Sequence, residues 1–523
     1  MTTSQFDPLA DVQAIAAAIR KLAPGAQLAS DSRRIKPGDV FFAYPGDAGD
    51  GRSFIDSAIE QGAALVVLDP AGFTWNDSSA VPYLTVESLK QHAGAIAHAF
   101  YEQPDAAMFT VGVTGTNGKT SSAVWLGQAL SRSGEAAAVV GTLGVGVFRA
   151  RGEVEYDVTG YTTPDAVLLA RTLADLRGQG AASLAIEVSS IGLEQGRVAG
   201  MHFDVALFTN LTRDHLDYHG TMEAYEAAKT KLFDWPGLKT AVVNLDDPMG
   251  ARLLSHLQAK AAPLAGAIPL IGYTLHDATA RPDIEGVLML RASQVRSGRN
   301  TGTEFHLECA LGVALVKTQL VGNFNISNAL GVMGAMLAKG LGLRAAIDAV
   351  EALRPAPGRM QQVGGQDAPM IVIDYAHTPD ALEKTLAALR QVATDRGGQL
   401  WCVFGCGGDR DPGKRPQMGK IAQAADHVLV TSDNPRSEDP HSIIEQILAG
   451  MDQKNPASTV QALDDRAAAI LSAIKHAAKP DVILLAGKGH EPYQEIKGKK
   501  LPFSDADHAQ LALSARLTMM RTN

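Results

Sequence analysis

The sequence predicts an α/β protein of three domains, and three observations carry that expectation. A length of 523 residues is enough for about three or four cores of ordinary size. A Gly-rich loop, Val111-Gly-Val-Thr-Gly-Thr-Asn-Gly-Lys-Thr120, joins an apolar strand to a helix. From about residue 355 the chain repeats one device, apolar strand, polar loop and amphipathic helix, the pattern of an open, mostly parallel sheet.

The first domain is expected over residues 1–105. Apolar runs Val40-Phe-Phe-Ala43 and Ala64-Leu-Val-Val-Leu68 alternate there with a helical segment, Phe54–Ile59, which reads as a small α/β unit. Two loop clusters, Ser30-Asp-Ser-Arg33 and Pro45–Arg52, have the Ser, Gly and Arg content of a polar anion site, and equally of plain turns.

The central domain is expected over 106–354. Glycines 115 and 118 let backbone N–H groups close on phosphate oxygens, and the helix opened by Lys119 adds its positive end. Lys119 can reach terminal phosphates and the Thr120 hydroxyl can hold Mg²⁺, so a nucleoside triphosphate is the natural guest. The common phosphate-loop pattern would place glycine where this chain has Val113. Helical spacing of Ala123, Leu126 and Leu130 supports the helix. Further on, Ser183–Ile186 ends in Glu187, a carboxylate at a strand end and well placed to meet Mg²⁺. Val205–Phe208 leads to Asp214, His215 and Asp217, a cluster of metal-ligating and acid-base groups. In the helix Tyr225–Phe233, Lys229 reads by itself as a solvated helix lysine. Alternation in Thr303–Cys309 predicts a half-buried antiparallel strand. Asn residues of Gly322–Asn328 lie ahead of a Leu/Ala/Met-rich helix as caps or base contacts.

In the last domain, 355–523, four strands end in polar loops. Met370–Ile373 leads to Asp374–Asp380, Leu400–Phe404 to Gly405–Asp411, Val428–Thr431 to Asp433–Pro440, and Val482–Leu485 to Ala486–Glu491. Leu382, Leu386 and Leu389 mark one face of an intervening helix. Such sheets bind ligands beyond the carboxyl ends of their strands, as Rossmann-like domains do.

Composition narrows the classes. Apolar content of 46% with 20% charged residues is ordinary for a soluble protein, and no apolar run reaches membrane-spanning length. A net charge of -9 argues against nucleic acid as a partner. The start MTTSQFDPLADVQ has no export-signal pattern, so a cytoplasmic location is expected. Cys402 and Cys406 lack the C-x-x-C spacing and read, like Cys309, as packed thiols.

Gly115–Thr120, Asp214-His-Leu-Asp217, Tyr225-x-x-x-Lys229-x-x-Leu232-Phe233, Gly322-x-Phe-Asn-x-x-Asn328 and Asp374-Tyr-Ala-His377 together resemble the Mur ligase family, over essentially the full chain. The resemblance also accommodates Val113, because that family does not place glycine there. It implies an ATP-dependent amide-bond ligase of peptidoglycan precursor synthesis, whose three domains bind a uridine nucleotide substrate, ATP and an incoming amino acid. The pattern is nearest the branch that adds meso-2,6-diaminopimelate to a UDP-muramoyl dipeptide.

By that resemblance Thr114, Gly115, Thr116, Asn117, Gly118, Lys119 and Thr120 bind ATP, with Asn325, Arg359 and Asp374 near the nucleotide. Ser32 and the loop holding Asp47, Ala48 and Gly49, where the family carries His-Gln-Ala, contact the UDP-sugar. Thr162, Thr163, Ser189, Gln195 and Arg197 hold the muramoyl dipeptide. Thr120, Glu187, His215 and Lys229 are implied to support Mg²⁺, with Lys229 as a CO₂-derived carbamate, and Lys119, Glu187, His215 and Lys229 are the catalytic set. Arg410, Asp433, Asn434, Pro435, Arg436, Gly487 and Glu491 match the diaminopimelate pocket. The reaction implied is phosphorylation of the D-glutamyl carboxylate and displacement of phosphate by an amine, in an enzyme expected to be monomeric. An L-lysine-adding ligase, a folylpolyglutamate synthetase and a regulatory nucleotide-binding protein are the alternatives, and Asp433-Asn-Pro-Arg436 speaks against the first two.

Overall fold

Runs that are apolar at every position, such as Val40–Ala43, Leu65–Leu68 and Val205–Phe208, are buried along their whole length, as parallel strands sandwiched between helices must be. The computed structural model describes residues 4–6, 12–47, 49–76, 79–150, 154–261, 268–297, 302–365, 367–452 and 454–522. They divide into two units, Met1–Thr274 with Asp283–Leu290 and Gly331–Ala349, and Leu275–Pro282 with Arg291–Leu330 and Val350–Asn523.

The first unit contains a five-stranded parallel sheet in the order Ser4–Phe6, Tyr83–Val86, Leu65–Leu68, Val40–Ala43, Leu28–Ala29. Helices Val12–Leu22 and Leu89–Phe100 supply Ile15, Ile19 and Ile96 to its core, where Val167 and Ala170 of helix Ala166–Gly178 join them. The expected helix from Phe54 to Ile59 is a 3₁₀ turn, Gly51–Phe54, running into helix Ile55–Glu60, with Phe54 largely exposed. Asp50 accounts for the turn: its carboxylate accepts the Arg52 N–H and caps the segment three residues earlier than the apolar spacing suggests.

The second sheet of this unit is organised around Phe109–Thr114, which lies between Val205–Phe208 and Ala181–Glu187, parallel to both. Ala136–Gly141 extends the parallel run, and Gly144–Phe148 closes that edge as an antiparallel hairpin. Register decides what meets at the carboxyl edge: Val113 faces Glu187 and Thr114 faces Phe208. Glu187 and the segment after Phe208 therefore flank the Gly-rich loop.

In the second unit, Thr303–Cys309 pairs antiparallel with Gly312–Thr318 and with residues 291–297, its buried positions alternating with half-buried or exposed ones as its pattern requires. The six-stranded sheet runs Gln361–Gly364, Met370–Asp374, Val482–Ala486, Leu400–Phe404, His427–Thr431, Thr459–Leu463. All its pairs are parallel except the first. Leu382, Leu386 and Leu389 of helix Pro379–Arg396 are buried on one face. The segment read as leading up to a helix is itself helical, since Asn323–Ala338 begins before Asn325 and Asn328. Asn325 serves the first turn by donating its Nδ2 to the Val321 carbonyl at 2.9 Å. Among the described residues no helix is long and apolar enough to cross a membrane.

Candidate functional site

The Gly-rich loop takes its shape from glycines at which a side chain would be strained or crowded. Gly118 holds φ at 86°, a left-handed conformation costly for a side-chain-bearing residue. A Cβ on Gly115 would lie 1.9 Å from the Thr209 hydroxyl oxygen. The segment after Val205–Phe208 acts as a template beneath the loop. Asn210 accepts the Asn117 N–H at 2.9 Å on its side-chain oxygen and the Thr116 N–H at 2.8 Å on its carbonyl, and Thr209 donates to the Asn117 carbonyl at 2.7 Å. Helix Lys119–Ser131 then starts directly behind the loop, so its positive end and the Lys119 ammonium share one place. Lys119 Nζ donates to the carbonyls of Gly115 and Thr116 at 2.8 and 2.9 Å.

Glu187 is buried and is no surface acid. Its carboxylate accepts the Thr120 hydroxyl at 3.1 Å, the Thr142 N–H at 2.8 Å and the Thr142 hydroxyl at 3.2 Å. A Cβ on Gly141 would sit 2.2 Å from it, so the glycine makes room for the acid. Thr120 and Glu187 are thus side by side, a hydroxyl and a carboxylate of the kind that hard divalent cations select.

Lys229 departs from its expectation as a solvated lysine. It is buried, and its Nζ donates to the Gly115 carbonyl at 2.9 Å while lying 4.3 Å from the centre of the Tyr225 ring. Tyr225, Ala228, Lys229 and Leu232 recur at helical spacing and are all buried, so the lysine lies on the core face of helix Met222–Thr230. That stripe was the available signal. Burial pushes the Lys229 ammonium well below the ordinary lysine range, and the neighbouring Lys119 cation pushes the same way. The result is an amine that gives up its proton readily.

His215 starts helix Leu216–His219 in a left-handed conformation, φ 52°. Its Nε2 is 3.5 Å from Asp214 and its side chain is 43% exposed. Burial of the ring nevertheless lowers its pKa against the pull of Asp214. Among the described residues no group of three or more His, Cys, Asp or Glu is placed to hold a metal ion, and Glu187 with Thr120 is the hydrogen-bonded donor pair at this edge.

The residues expected to hold the dipeptide lie at the same edge. Thr163 donates to the Glu187 carbonyl at 2.9 Å and lies 3.1 Å from the Ser189 hydroxyl, which caps helix Ser190–Glu194. Arg197 reaches the Thr163 carbonyl at 2.9 Å and Gln195 at 2.8 Å, and Thr162 meets Thr142 at 3.1 Å. In the N-terminal sheet, Ser32 is buried at the start of the turn Ser32–Arg34. Asp47 pairs with Lys90 at the surface, Gly49 accepts the Gly46 N–H at 2.8 Å, and Ala48 lies outside the described residues. Arg52 is spent on the turn, pairing with Asp50 at 2.7 Å and donating to the Asp69 and Ala71 carbonyls.

The second unit carries the remaining residues. Asp374 accepts the Met360 N–H at 2.8 Å, and the Arg359 guanidinium lies 4.4 Å from the Tyr375 ring centre. Burial raises the Asp374 pKa, with Arg359 opposing. Loops after His427–Thr431 and Val482–Ala486 bring Asp433, Asn434, Gly487 and Glu491 together. A Cβ on Gly487 would be 2.5 Å from an Asp433 oxygen, and Asn434 donates to Glu491 at 2.8 Å. Burial raises the Asp433 pKa, while Arg466 and Lys488 pull it down. The Pro435 carbonyl lies 2.0 Å from where a Cβ on Gly408 would be, so these two loops can only touch through a glycine. Arg436, whose partners could have been Glu438 or Asp439, uses neither. It donates Nη1 to the Gly408 carbonyl at 2.7 Å and faces Glu495 at 3.5 Å, because Glu438 is taken by a bidentate pair with buried Arg415. Gly407 separates the Arg436 and Arg410 side chains: a Cβ there would be 2.9 Å from Arg436 Nη1 and 3.8 Å from Arg410 Cγ. Arg410 itself is exposed. Thr142, Asn210 and Lys488 were not singled out in the sequence, because nothing in their spacing sets them apart from other polar residues that follow strands.

Three family models match the chain in sequence: the Mur ligase family, catalytic domain, at residues 26–101, the Mur ligase middle domain at 113–336 and the Mur ligase, glutamate ligase domain, at 358–489. The UDP-N-acetylmuramoyl-L-alanyl-D-glutamate--2,6-diaminopimelate ligase of Janthinobacterium sp. (strain Marseille) is 63% identical over 95% of both chains. The enzyme of the same description from Ralstonia nicotianae is 52% identical over 94% of each. A solved structure of a UDP-N-acetylmuramoyl-L-alanyl-D-glutamate--2,6-diaminopimelate ligase, 35% identical, superposes with a TM-score of 0.64 over 94% of this chain and 95% of that one.

Proposed function

The chain belongs to the Mur ligase family, and from that premise we propose that it joins meso-2,6-diaminopimelate to UDP-N-acetylmuramoyl-L-alanyl-D-glutamate at the cost of ATP. The single observation that carries this reading is the shared carboxyl edge in the first unit, where the Gly-rich loop, Lys119, Thr120, Glu187 and buried Lys229 meet. The division of labour proposed is residues 1–105 for the uridine nucleotide, 106–354 for ATP and 355–523 for the amino acid.

Loop N–H groups and Lys119 hold and neutralise the phosphates while the D-glutamyl carboxylate attacks the γ-phosphorus and ADP leaves. The acceptor amine then adds to the acyl phosphate and inorganic phosphate departs, leaving the amide. Thr163, Ser189, Gln195 and Arg197 orient the dipeptide, Ser32 and the Asp47–Gly49 loop the uridine end, and Asn325, Arg359 and Asp374 the nucleotide. A Mg²⁺ ion held by Thr120 and Glu187, with His215 as a further ligand, would supply charge neutralisation at the phosphoryl oxygens. Lys229 as an ammonium hydrogen-bonded to Gly115 does not suit a cation site. Its lowered pKa favours the neutral amine, which can add to CO₂ and release a proton, becoming an anionic carbamate that does suit one. The expected location is the cytoplasm and the expected state a monomer.

Lys119→Ala tests the assignment of the loop. Removing that charge should lower turnover by roughly 10²-fold or more, read as phosphate released and amide product formed together. Ligation near the parent rate would remove the loop from the chemistry.

A further inference from the structure

Lys488 is fully buried in the loop after Val482–Ala486, between Gly487 and Gly489, both at positive φ. A buried ammonium is unfavourable unless its charge is paired and its donors are used. Its Nζ donates to Asn434 Oδ1 at 3.1 Å and to Glu491 Oε2 at 3.0 Å. The Asn434 amide closes the triangle, donating Nδ2 to the same Glu491 oxygen at 2.8 Å. Asn434 Oδ1 also accepts the Glu495 N–H at 2.8 Å. Both groups that meet Oδ1 are donors only, so the amide has one chemically allowed orientation.

A second buried ion pair lies near this triangle. Arg466 and Asp505 form an ion pair at 2.7 Å with no exposure of either side chain. Arg466 also donates to the Ala486 carbonyl at 2.9 Å, which holds the strand end from which Gly487 and Lys488 depart. Asp433 stands beside Gly487 on the same side. Around Lys488 there are therefore two pocket carboxylates, Asp433 and Glu491, and one buried cation between them. Glu491 Oε2 is saturated by two donors, while Oε1 has no hydrogen bond among the described residues.

We propose that Lys488 is a positioning and specificity residue of the amino-acid pocket: it locks the Asn434 amide, aims Glu491 Oε1 at the acceptor's ammonium group, and cancels one of the two pocket carboxylates. With that cancellation, Asp433 and Glu491 together match a single ammonium, and Arg436, which turns Nη1 to the Gly408 carbonyl and Nε towards Glu495 at 3.5 Å, keeps Nη2 for a ligand carboxylate. The pocket then fits a zwitterionic amino-acid end and not a bare cationic one. This inference rests on the second-unit loop cluster being the acceptor pocket.

The test is Lys488→Met, close in volume and uncharged, in the full chain, with meso-diaminopimelate and L-lysine varied separately at saturating ATP and UDP-dipeptide. The KM for meso-diaminopimelate should rise about 10- to 100-fold and the KM for ATP stay within about twofold, because the loss lies in acceptor binding. The preference for meso-diaminopimelate over L-lysine should shrink, since the pocket has become more anionic. If Lys488→Met does not fold, Lys488→Gln, which keeps a donor for Glu491, carries the same comparison with a smaller expected rise in KM. A folded variant of either kind whose acceptor KM and acceptor preference equal the parent's overturns the proposal. A parent that uses no amino acid as acceptor overturns the reading of the pocket instead.

Discussion

At the scale of single residues, Lys229 separates what its sequence context suggests from what its surroundings do. A lysine one turn beyond a tyrosine looks solvated, yet here both side chains face the core, and Lys229 hydrogen-bonds the carbonyl of the first loop glycine. If it works as a carbamate, Lys229→Ala should lose most activity and leave a space that a small carboxylate can fill. Acetate or formate should restore part of the rate, and methylamine should not. The reverse pattern would show that a cation is what the site needs. The place of Glu187 beside the Gly-rich loop, by contrast, was legible, because it closes an apolar strand of the same sheet; what could not be read was that Gly141 and Thr142, at the end of the neighbouring strand, would shape its pocket.

At the scale of elements, the N-terminal sheet is tied to the phosphate-binding sheet through helix Leu89–Phe100. A Cβ on Gly94 would lie 2.2 Å from the Ala199 carbonyl oxygen, and one on Gly200 would lie 2.9 Å from the His98 ring. The same junction buries Asp105, whose carboxylate meets His98 Nδ1 at 3.1 Å, the His202 N–H at 2.7 Å and His202 Nδ1 at 3.1 Å. Asp204 lies 3.4 Å from His202 Nε2 and 2.7 Å from Lys239. The hydrogen bonds to Asp105 and then Asp204 raise the His202 pKa to about 9. Burial pushes both carboxylates up but is outweighed, so Asp204 falls to about 2 and Asp105 lower still. His202 is therefore charged more readily in the folded chain than in the unfolded one. Its contribution is complete below the unfolded value of about 6.5 and is lost as pH rises through about 9. The carboxylates lose their share in acid, below about pH 4. Allowing for the exposed edge of His202, the alkaline loss should amount to about 1–2 kcal/mol. Melting temperature should fall between pH 6.5 and 9 in the parent, and that slope should flatten in His202→Asn. Equal slopes in the two proteins would leave the ion cluster without a role in stability. None of this was legible: the five residues are scattered from 98 to 239 and carry no shared motif.

At the scale of the whole molecule, the strand, loop and helix alternation revealed the α/β class because fully buried parallel strands have to be apolar at every position. The antiparallel segment Thr303–Cys309 was legible for the opposite reason, one wet face imposing alternation. Strand order was not legible, since the insertion of Val482–Ala486 between Met370–Asp374 and Leu400–Phe404 depends on crossover connections and not on local pattern. That insertion sets Gly487 and Glu491 beside Asp433 and Asn434, which are distant from them in sequence. On the proposed reading, this edge of the second unit selects an amino acid with a second carboxylate, through Arg436 and its neighbours. Lysine would leave Arg436 Nη2 without that second carboxylate and bring a cation towards the guanidinium, a difference on the order of 30-fold or more for a charge-assisted contact worth about 2–5 kcal/mol. The most direct measurement is kcat/KM for meso-diaminopimelate against L-lysine in the parent and in Arg436→Ala. A strong preference for meso-diaminopimelate that collapses in the variant is the predicted result; equal use of both acceptors by the parent, or a ratio unchanged by the substitution, would contradict it.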